Sequence, residues 1–320
     1  MASDLAERIS IHKVDKGRYS SKYPPQRMGD EAPTAYGGYN LAYGIHSACH
    51  EVPEGFHLYS VLGNFLRAAN TDEKVICKTT ELRKSNSFLT YRVTIEQKQP
   101  GGELRPCMEL LADFHKEEPS LLSYSASPTQ KYSHWRGCMP WEQVVMQRYD
   151  SGKITQTQCE NLRPGFKTST TMYECRPCPE GAAYHNLMGV FKEVATNQEE
   201  LAPTEKSSAD WVRVDSPLQT EGEQMASLGF VMDGMLSILP LIHNHIFYDD
   251  VSACSSLDFA LRIFSPQLNV NDWHLREAIG HHAGHGRSYS ESRIWDEKGN
   301  LVACMTQQSI LRAPTKTAKI

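Results

Sequence analysis

The feature that most constrains this 320-residue chain is a unit that occurs twice. In the first copy Gly37-Gly38 opens a helix-like stretch, Tyr39 to Glu51, that ends at Pro53. Strand-like runs follow: His57 to Leu66, then Leu89, Tyr91, Val93 and Ile95 alternating with Thr90, Arg92 and Thr94, then a Pro100-Gly101-Gly102 turn and a strand ending near Phe114. In the second copy Met225 to Ile242 reads as one helix closing at Pro240, with Asp233 at its centre. Leu257, Phe259, Leu261 and Ile263 then alternate with Asp258, Ala260 and Arg262, Tyr289 to Trp295 alternates again, Asp296 to Gly299 turns, and Leu301 to Leu311 returns. The copies are in register: Gly38 precedes Arg67 by the same 29 residues that separate Asp233 from Arg262. A long helix followed by antiparallel strands, used twice, predicts an α+β protein in which each half wraps a sheet around one helix. Two such halves in one chain imitate a symmetric dimer.

The division follows from this pattern. Residues 1–118 form the first half and 168–320 the second. The polar, proline-containing stretch 119–167 is expected to be a linker crossing the surface, and Thr196 to Asp210 a mobile polar segment. Net charge is −5 and the isoelectric point about 6.2, which disfavours a nucleic-acid partner. The longest apolar stretch, Leu228 to Ile242, is too short to span a membrane and carries Asp233. The N-terminus lacks the basic start and apolar core of a secretory signal, so the nine cysteines are expected to be free thiols. The final Ala318-Lys319-Ile320 resembles a variant of the Ser-Lys-Leu address read by the peroxisomal import receptor, so the expected location is peroxisomal, otherwise cytoplasmic.

Several strings then point to one family. Tyr36-Gly37-Gly38-Tyr39-Asn40-Leu41-Ala42 resembles the Phe-Gly-Gly-Gln-x-x-Ala helix start of the acyl-CoA thioesterase II family, and His57 to Arg67 resembles its His-Ser-x-x-x-x-Phe-x-Arg strand. Leu82 to Phe88 followed by Arg92-Val93 is similar to its Arg-x-Gly-x-Ser-Phe-x-x-Arg-x-Val run. Trp211-Val212-Arg213, Ser256-Leu257-Asp258 and Gly299 to Arg312 fall where that family has similar strings. The resemblance implies a double hotdog, acyl-CoA as substrate, coenzyme A entering only as part of it, and no cofactor or metal. A homo-oligomer is also expected.

By the same resemblance the catalytic trio is Asp233, Ser256 (two residues before Asp258) and Gln307 (after Val302-Ala303), with Gly37, Gly38, Tyr39, Arg67, Ser87 and His281 as substrate-binding candidates. The chemistry is coherent. Direct attack by water on a thioester needs a base, groups that orient the water, and donors for the developing oxyanion. A carboxylate inside the apolar Val231-Met232-Asp233-Gly234-Met235 string would be desolvated and more basic. Read alone, Asp233 fits equally a structural carboxylate reaching a backbone or arginine partner, and Ser256 and Gln307 are ordinary strand residues. At the 195-residue offset Asp233 falls on Gly38 and Ser256 on Val61, so the first half carries no counterpart. Two departures bear on the substrate: Tyr39 stands where the family has Gln, and the glycine-rich stretch before the penultimate strand contains His281, His282 and His285.

Rival chemistries are weaker. Cys175-Arg176-Pro177-Cys178 is one CxxC with no second pair, and His281/His285 lie in a loop-like stretch without a nearby carboxylate. No Gly-x-Ser-x-Gly nucleophile elbow is present. Hydratases of the hotdog fold resemble a pattern of Asp followed five residues later by His, where this chain has Ile238. Acyl-CoA hydrolysis is therefore the leading expectation. The alternatives are a pathway-specific acyl thioester hydrolase or acyltransferase of specialised metabolism, and a non-catalytic acyl-CoA binding protein.

Overall fold

The computed structural model describes residues 4–28, 34–160, 162 and 171–314. The Ala318-Lys319-Ile320 tail and the 167/168 boundary lie outside the described residues. Twelve strands among them form one antiparallel sheet: β1 (Ile11–Asp15), β2 (Arg18–Ser21), β3 (Phe56–Phe65), β4 (Val75–Lys84), β5 (Phe88–Lys98), β6 (Leu104–Lys116), β7 (Glu174–Pro177), β8 (Ser207–Arg213), β9 (Ala253–Ile263), β10 (His274–Gly284), β11 (Arg287–Asp296) and β12 (Leu301–Arg312). Their spatial order, β1-β2-β4-β5-β6-β3-β9-β12-β11-β10-β8-β7, is a palindrome in role: each half repeats the other about the β3–β9 seam. There Val61 stands opposite Leu261 and Gly63 opposite Phe259. This is the expected α+β double hotdog.

Three helices matter for the site: α1 (Gly37–Cys49), α2 (Glu221–Met232) and α3 (Leu239–His243). Residues Gly38 to Ala48 of α1 are all buried, the polar Asn40, His46 and Ser47 among them, so this helix is enclosed on every side and forms the centre of the core. α2 starts at a capping box in which Thr220 and Glu223 satisfy each other's backbone amides. It packs antiparallel along α1 at unusually close range: a Cβ on Gly229 would stand 2.7 Å from Ile45 Cδ1 and 3.2 Å from Leu41 Cγ. Only glycine admits that approach.

The second helix departs from expectation. The apolar run Met225 to Ile242 is broken at Asp233-Gly234, and Met235 takes a left-handed backbone (φ 81°) before α3 begins with Pro240 in its first turn. Asp233 is thus the C-terminal cap of α2, not a residue at a helix centre. The break is sustained by tertiary donors: the Tyr36 hydroxyl donates to Phe230 O (2.8 Å) and Arg276 Nη1 to Val231 O (2.6 Å), satisfying carbonyls that a continuing helix would have bonded. Arg276 is held in turn by a bidentate, fully buried pair with Asp210 (2.9 and 2.6 Å).

The segment after β6 runs over the outer face of the second half. Ala126 O accepts from Trp295 Nε1 (2.7 Å), Thr129 and Tyr132 donate to Glu277, and Ser133 O accepts from Trp211 Nε1 (2.8 Å). Trp211, Trp273, Leu275 and Trp295 form a second apolar cluster beneath it. Thr196 to Asp210 is tied down, in contrast to the expected mobility: Gln198 bridges Glu180 O and Ser207, Lys206 Nζ donates to His243 O, and Ser207 to Asp210 belong to β8. All nine cysteines are free. Among the described residues no helix is long and apolar enough to cross a membrane.

Candidate active site

Asp233 sits where the C-terminus of α2 meets the N-terminus of α1. Its side chain is 5% exposed. Gln307 Nε2 donates to Asp233 Oδ1 (2.8 Å) and the Gly38 backbone amide also donates to the carboxylate. α1 has no side-chain N-cap and no acid in its first turn, so Asp233 supplies that negative charge from the other half of the chain. The Gly37-Gly38 pair is what lets it approach: a Cβ on Gly37 would lie 3.0 Å from Asp233 Oδ2 and 2.7 Å from the Phe65 ring. Burial pushes the carboxyl up to about 6, against the pull of its two donors. The result is a basic, desolvated carboxylate held by two donors, with a free acceptor beside it, because Gln307 Oε1 is buried without a partner.

Gln307 lies on the inner face of β12 with Ala303 and Met305, opposite Phe259 of β9, whereas Gln308 points outward to Asp258. Ser256 reaches the same inner face by a bulge. The pairing jumps from Gln308↔Asp258 to Ser309↔Ser256, so Leu257 is the extra residue and Ser256 faces inward with Ser309, two strand positions beyond Gln307. Without the bulge Ser256 would share the outer face with Asp258. No hydrogen bond joins the Ser256 hydroxyl to Asp233 or Gln307 among the described residues.

The other candidates divide. Gly37 and Gly38 touch Asp233. Arg67 is exposed on the rim beyond Phe65, its Nη1 bonded to Pro106 O (3.2 Å). Tyr39 is buried in the interface between the helices, its ring 5.0 Å from that of Phe230 and edge-on to it. Ser87 lies in the β4–β5 turn, at the end of β5 from which Tyr91 bonds Glu51 O just past α1. Asp233 meets the other end of that 13-residue helix, roughly 20 Å away. His281 is corrected more firmly. It is not in a loop but at a bulge in β10, and its Nε2 meets Glu291 Oε2 (3.0 Å) on the outer face, away from Asp233. His285 alone of the three histidines occupies the turn, at φ 51°. Among the described residues no cluster of three or more His, Cys, Asp or Glu is placed to hold a metal ion.

Tyr36, Arg276 and Asp210 were not singled out for the site, yet they hold the helix end that carries Asp233. Tyr36 stood next to the Gly-Gly pair; nothing local marks Arg276 or Asp210, which are paired only by the β8–β10 ladder.

Comparison with known proteins agrees with this architecture. A family model described as the acyl-CoA thioesterase N-terminal domain matches residues 24–115, and one described as the acyl-CoA thioesterase C-terminal domain matches 170–311. No curated protein matches the sequence. Among solved structures, the acyl-CoA thioesterase II TesB2 of Mycobacterium marinum is 17% identical with a TM-score of 0.67, covering 97% of this chain and 99% of its own. A hot dog fold protein of unknown function from Alicyclobacillus acidocaldarius is 15% identical with a TM-score of 0.68, covering 97% and 98%. At these identities the two structures attest the fold, and it is the paired family domains over both halves that place the chain: it belongs to the acyl-CoA thioesterase family, as a double hotdog thioester hydrolase.

Proposed function

We propose that this chain hydrolyses acyl-CoA to a free acid and coenzyme A, with Asp233 as general base. The observation that carries the reading is the buried carboxylate itself, raised to about 6 and fixed by Gln307 Nε2. At neutral pH such a group is ionised yet more basic than an ordinary aspartate, the balance a general base needs. Water donates one proton to the Asp233 carboxylate and is held by Gln307 Oε1, with the inward Ser256 hydroxyl completing its orientation. Its oxygen attacks the thioester carbon, the positive N-terminal end of α1 stabilises the developing oxyanion, and the C–S bond breaks. The proton on Asp233 passes to the departing thiolate, so thioester and water become acid and thiol. Arg67, on the exposed rim, is the candidate for the phosphates of coenzyme A.

The test is thiol release from acyl-CoA by wild type and Asp233→Asn. The variant should lose roughly two to four orders of magnitude in rate with its melting temperature retained. An Asn at this position keeps both contacts, since the Gln307 amide can flip and offer its oxygen. Ser256→Ala and Gln307→Ala should each cost less and combine less than additively, because both serve one water. A folded, fully active Asp233→Asn protein would return Asp233 to the role of a helix cap. For localisation we propose peroxisomal import through the Ala318-Lys319-Ile320 end; a fluorescent fusion leaving that end free should be punctate and should disperse when the three residues are deleted.

A further inference from the structure

Next to Asp233 the interior of the second half is polar where a core would be apolar. Ser288, Ser290 and Ser292 of β11 and Ser309 of β12 are each at least 98% buried, and none of their hydroxyls has a hydrogen-bond partner. Register places them on one surface with Gln307: Ser290 stands opposite Gln307 and Ser288 opposite Ser309. Gly280 of β10, opposite Ser290, adds an opening, for a Cβ built there meets no atom within 4 Å. Native proteins rarely bury several hydroxyls on one face without partners. Side by side, aimed the same way and adjoining the base, they form a wall whose partners are to come from a bound molecule. The wall has an approach from outside. Leu311, one inward position past Ser309 and so about 7 Å along β12, lines a surface cleft with Leu241, Ile246 and Val251.

We propose that this wall is the acyl-binding surface of the enzyme, and that it selects acyl groups carrying hydroxyl or carbonyl oxygens along the chain over plain saturated tails. The inference rests on the thioesterase reading of Asp233 and deepens it. The reason is the asymmetry of polar recognition. A saturated chain laid on this wall leaves the four serine hydroxyls dry and unpartnered, whereas an oxygenated chain satisfies some of them. A hydrogen-bonding site of that kind rejects the analogue lacking the oxygen far more strongly than an apolar site rejects a missing methylene.

The experiment compares kcat/KM for octanoyl-CoA, 3-hydroxyoctanoyl-CoA and 5-oxo-octanoyl-CoA, in wild type, Asp233→Asn and the triple variant Ser288→Ala, Ser290→Ala, Ser292→Ala. The single Ser309→Ala protein is carried alongside in case the triple variant fails to fold. The expected result is a preference of roughly tenfold or more for at least one oxygenated thioester, reduced toward one in the serine variants, with turnover of every substrate largely lost in Asp233→Asn. Asp233-dependent turnover with octanoyl-CoA equal or preferred would overturn the inference, the serines then being partnered by water alone, and would leave the thioesterase reading standing. A preference that survives loss of the hydroxyls would overturn it too. No turnover of any of the three, or turnover indifferent to Asp233→Asn, would remove the functional reading and this inference with it.

Discussion

β5 and β11 occupy the same place in their respective halves, each flanked by the strands that follow and precede it in a meander, and their inner faces could hardly differ more. β5 turns Leu89, Tyr91, Val93 and Ile95 toward α1, all part of the main core. β11 turns Ser288, Ser290, Ser292 and then Ile294 toward the ground beside Asp233. The helices differ in parallel: α1 runs unbroken beneath the first sheet, while α2 stops at Met232. One half spends its interior on cohesion. The other gives up apolar contact at three strand positions and a helical turn, and what it holds in their place is a desolvated carboxylate with unpaired polar groups around it. A fold built twice can carry this imbalance because both halves share one sheet and one core cluster.

Four substitutions or conditions test how far that contrast goes. The largest effect is expected at Arg276, which exists to support the broken helix. Arg276→Met strands Asp210 as a buried carboxylate without its arginine and removes the charged donor to Val231 O, and should cost about 3–5 kcal/mol in urea unfolding; adding Asp210→Leu should restore much of it. A small loss in the single variant would mean that the break in α2 stands without this pair.

The pH profile comes next. kcat/KM should be level above about pH 6 and fall about tenfold per unit below it, as Asp233 takes up its proton. Stability moves the other way. The folded value lies above the ordinary 3.8, so the native state holds this proton more tightly than the unfolded chain. The stabilisation is complete below about 3.8 and is lost as pH rises through about 6. At pH 8 Asp233→Asn should therefore melt no lower than wild type. A rate profile with its acid limb near 4 would mean a carboxylate less desolvated than its burial indicates.

In the first half, Val93→Ser puts a hydroxyl into a fully buried apolar position and should cost about 2 kcal/mol while leaving the rate per folded molecule unchanged. Ser290→Ala in the second half is the mirror experiment. It removes an unpartnered hydroxyl, so the unfolding free energy should hold or rise, by about 1 kcal/mol at most. Equal losses from the two would erase the distinction between a cohesive half and a half built around a site.

Much of this was legible in the sequence, and the failures have physical causes. Period-two alternation located β5, β9 and β11, the turn at Asp296 to Gly299 located β12, and the equal spacing of the two units foretold two like halves. The break in α2 was hidden because its apolar run continues to Ile242; Gly234 and Pro240 permit a break, but the donors that sustain it, Tyr36 and Arg276, are 194 and 45 residues away. His281 was read as part of a glycine-rich loop, but it sits at a bulge inside β10 and faces outward. Alternation also loses phase at a bulge, which concealed why Ser256 faces inward when counting from Asp258 says otherwise. The three serines of β11 were visible as alternate letters, but their lack of partners is a property of the packed interior.

The strap over the second half sets a minimum tether between the halves. From β6 to β8 the sheet crosses six strand spacings, about 29 Å at the usual separation, and the chain covers that distance between Lys116 and Ser133 while stopping at Trp295, Glu277 and Trp211 on the way. Fully extended, about nine residues would just reach. This loop is therefore a fixed span with its anchor points already chosen: it should tolerate insertion between anchors and resist deletion, unlike an ordinary surface connection. It also keeps the tryptophan side of β8, β10 and β11 occupied by the chain's own backbone.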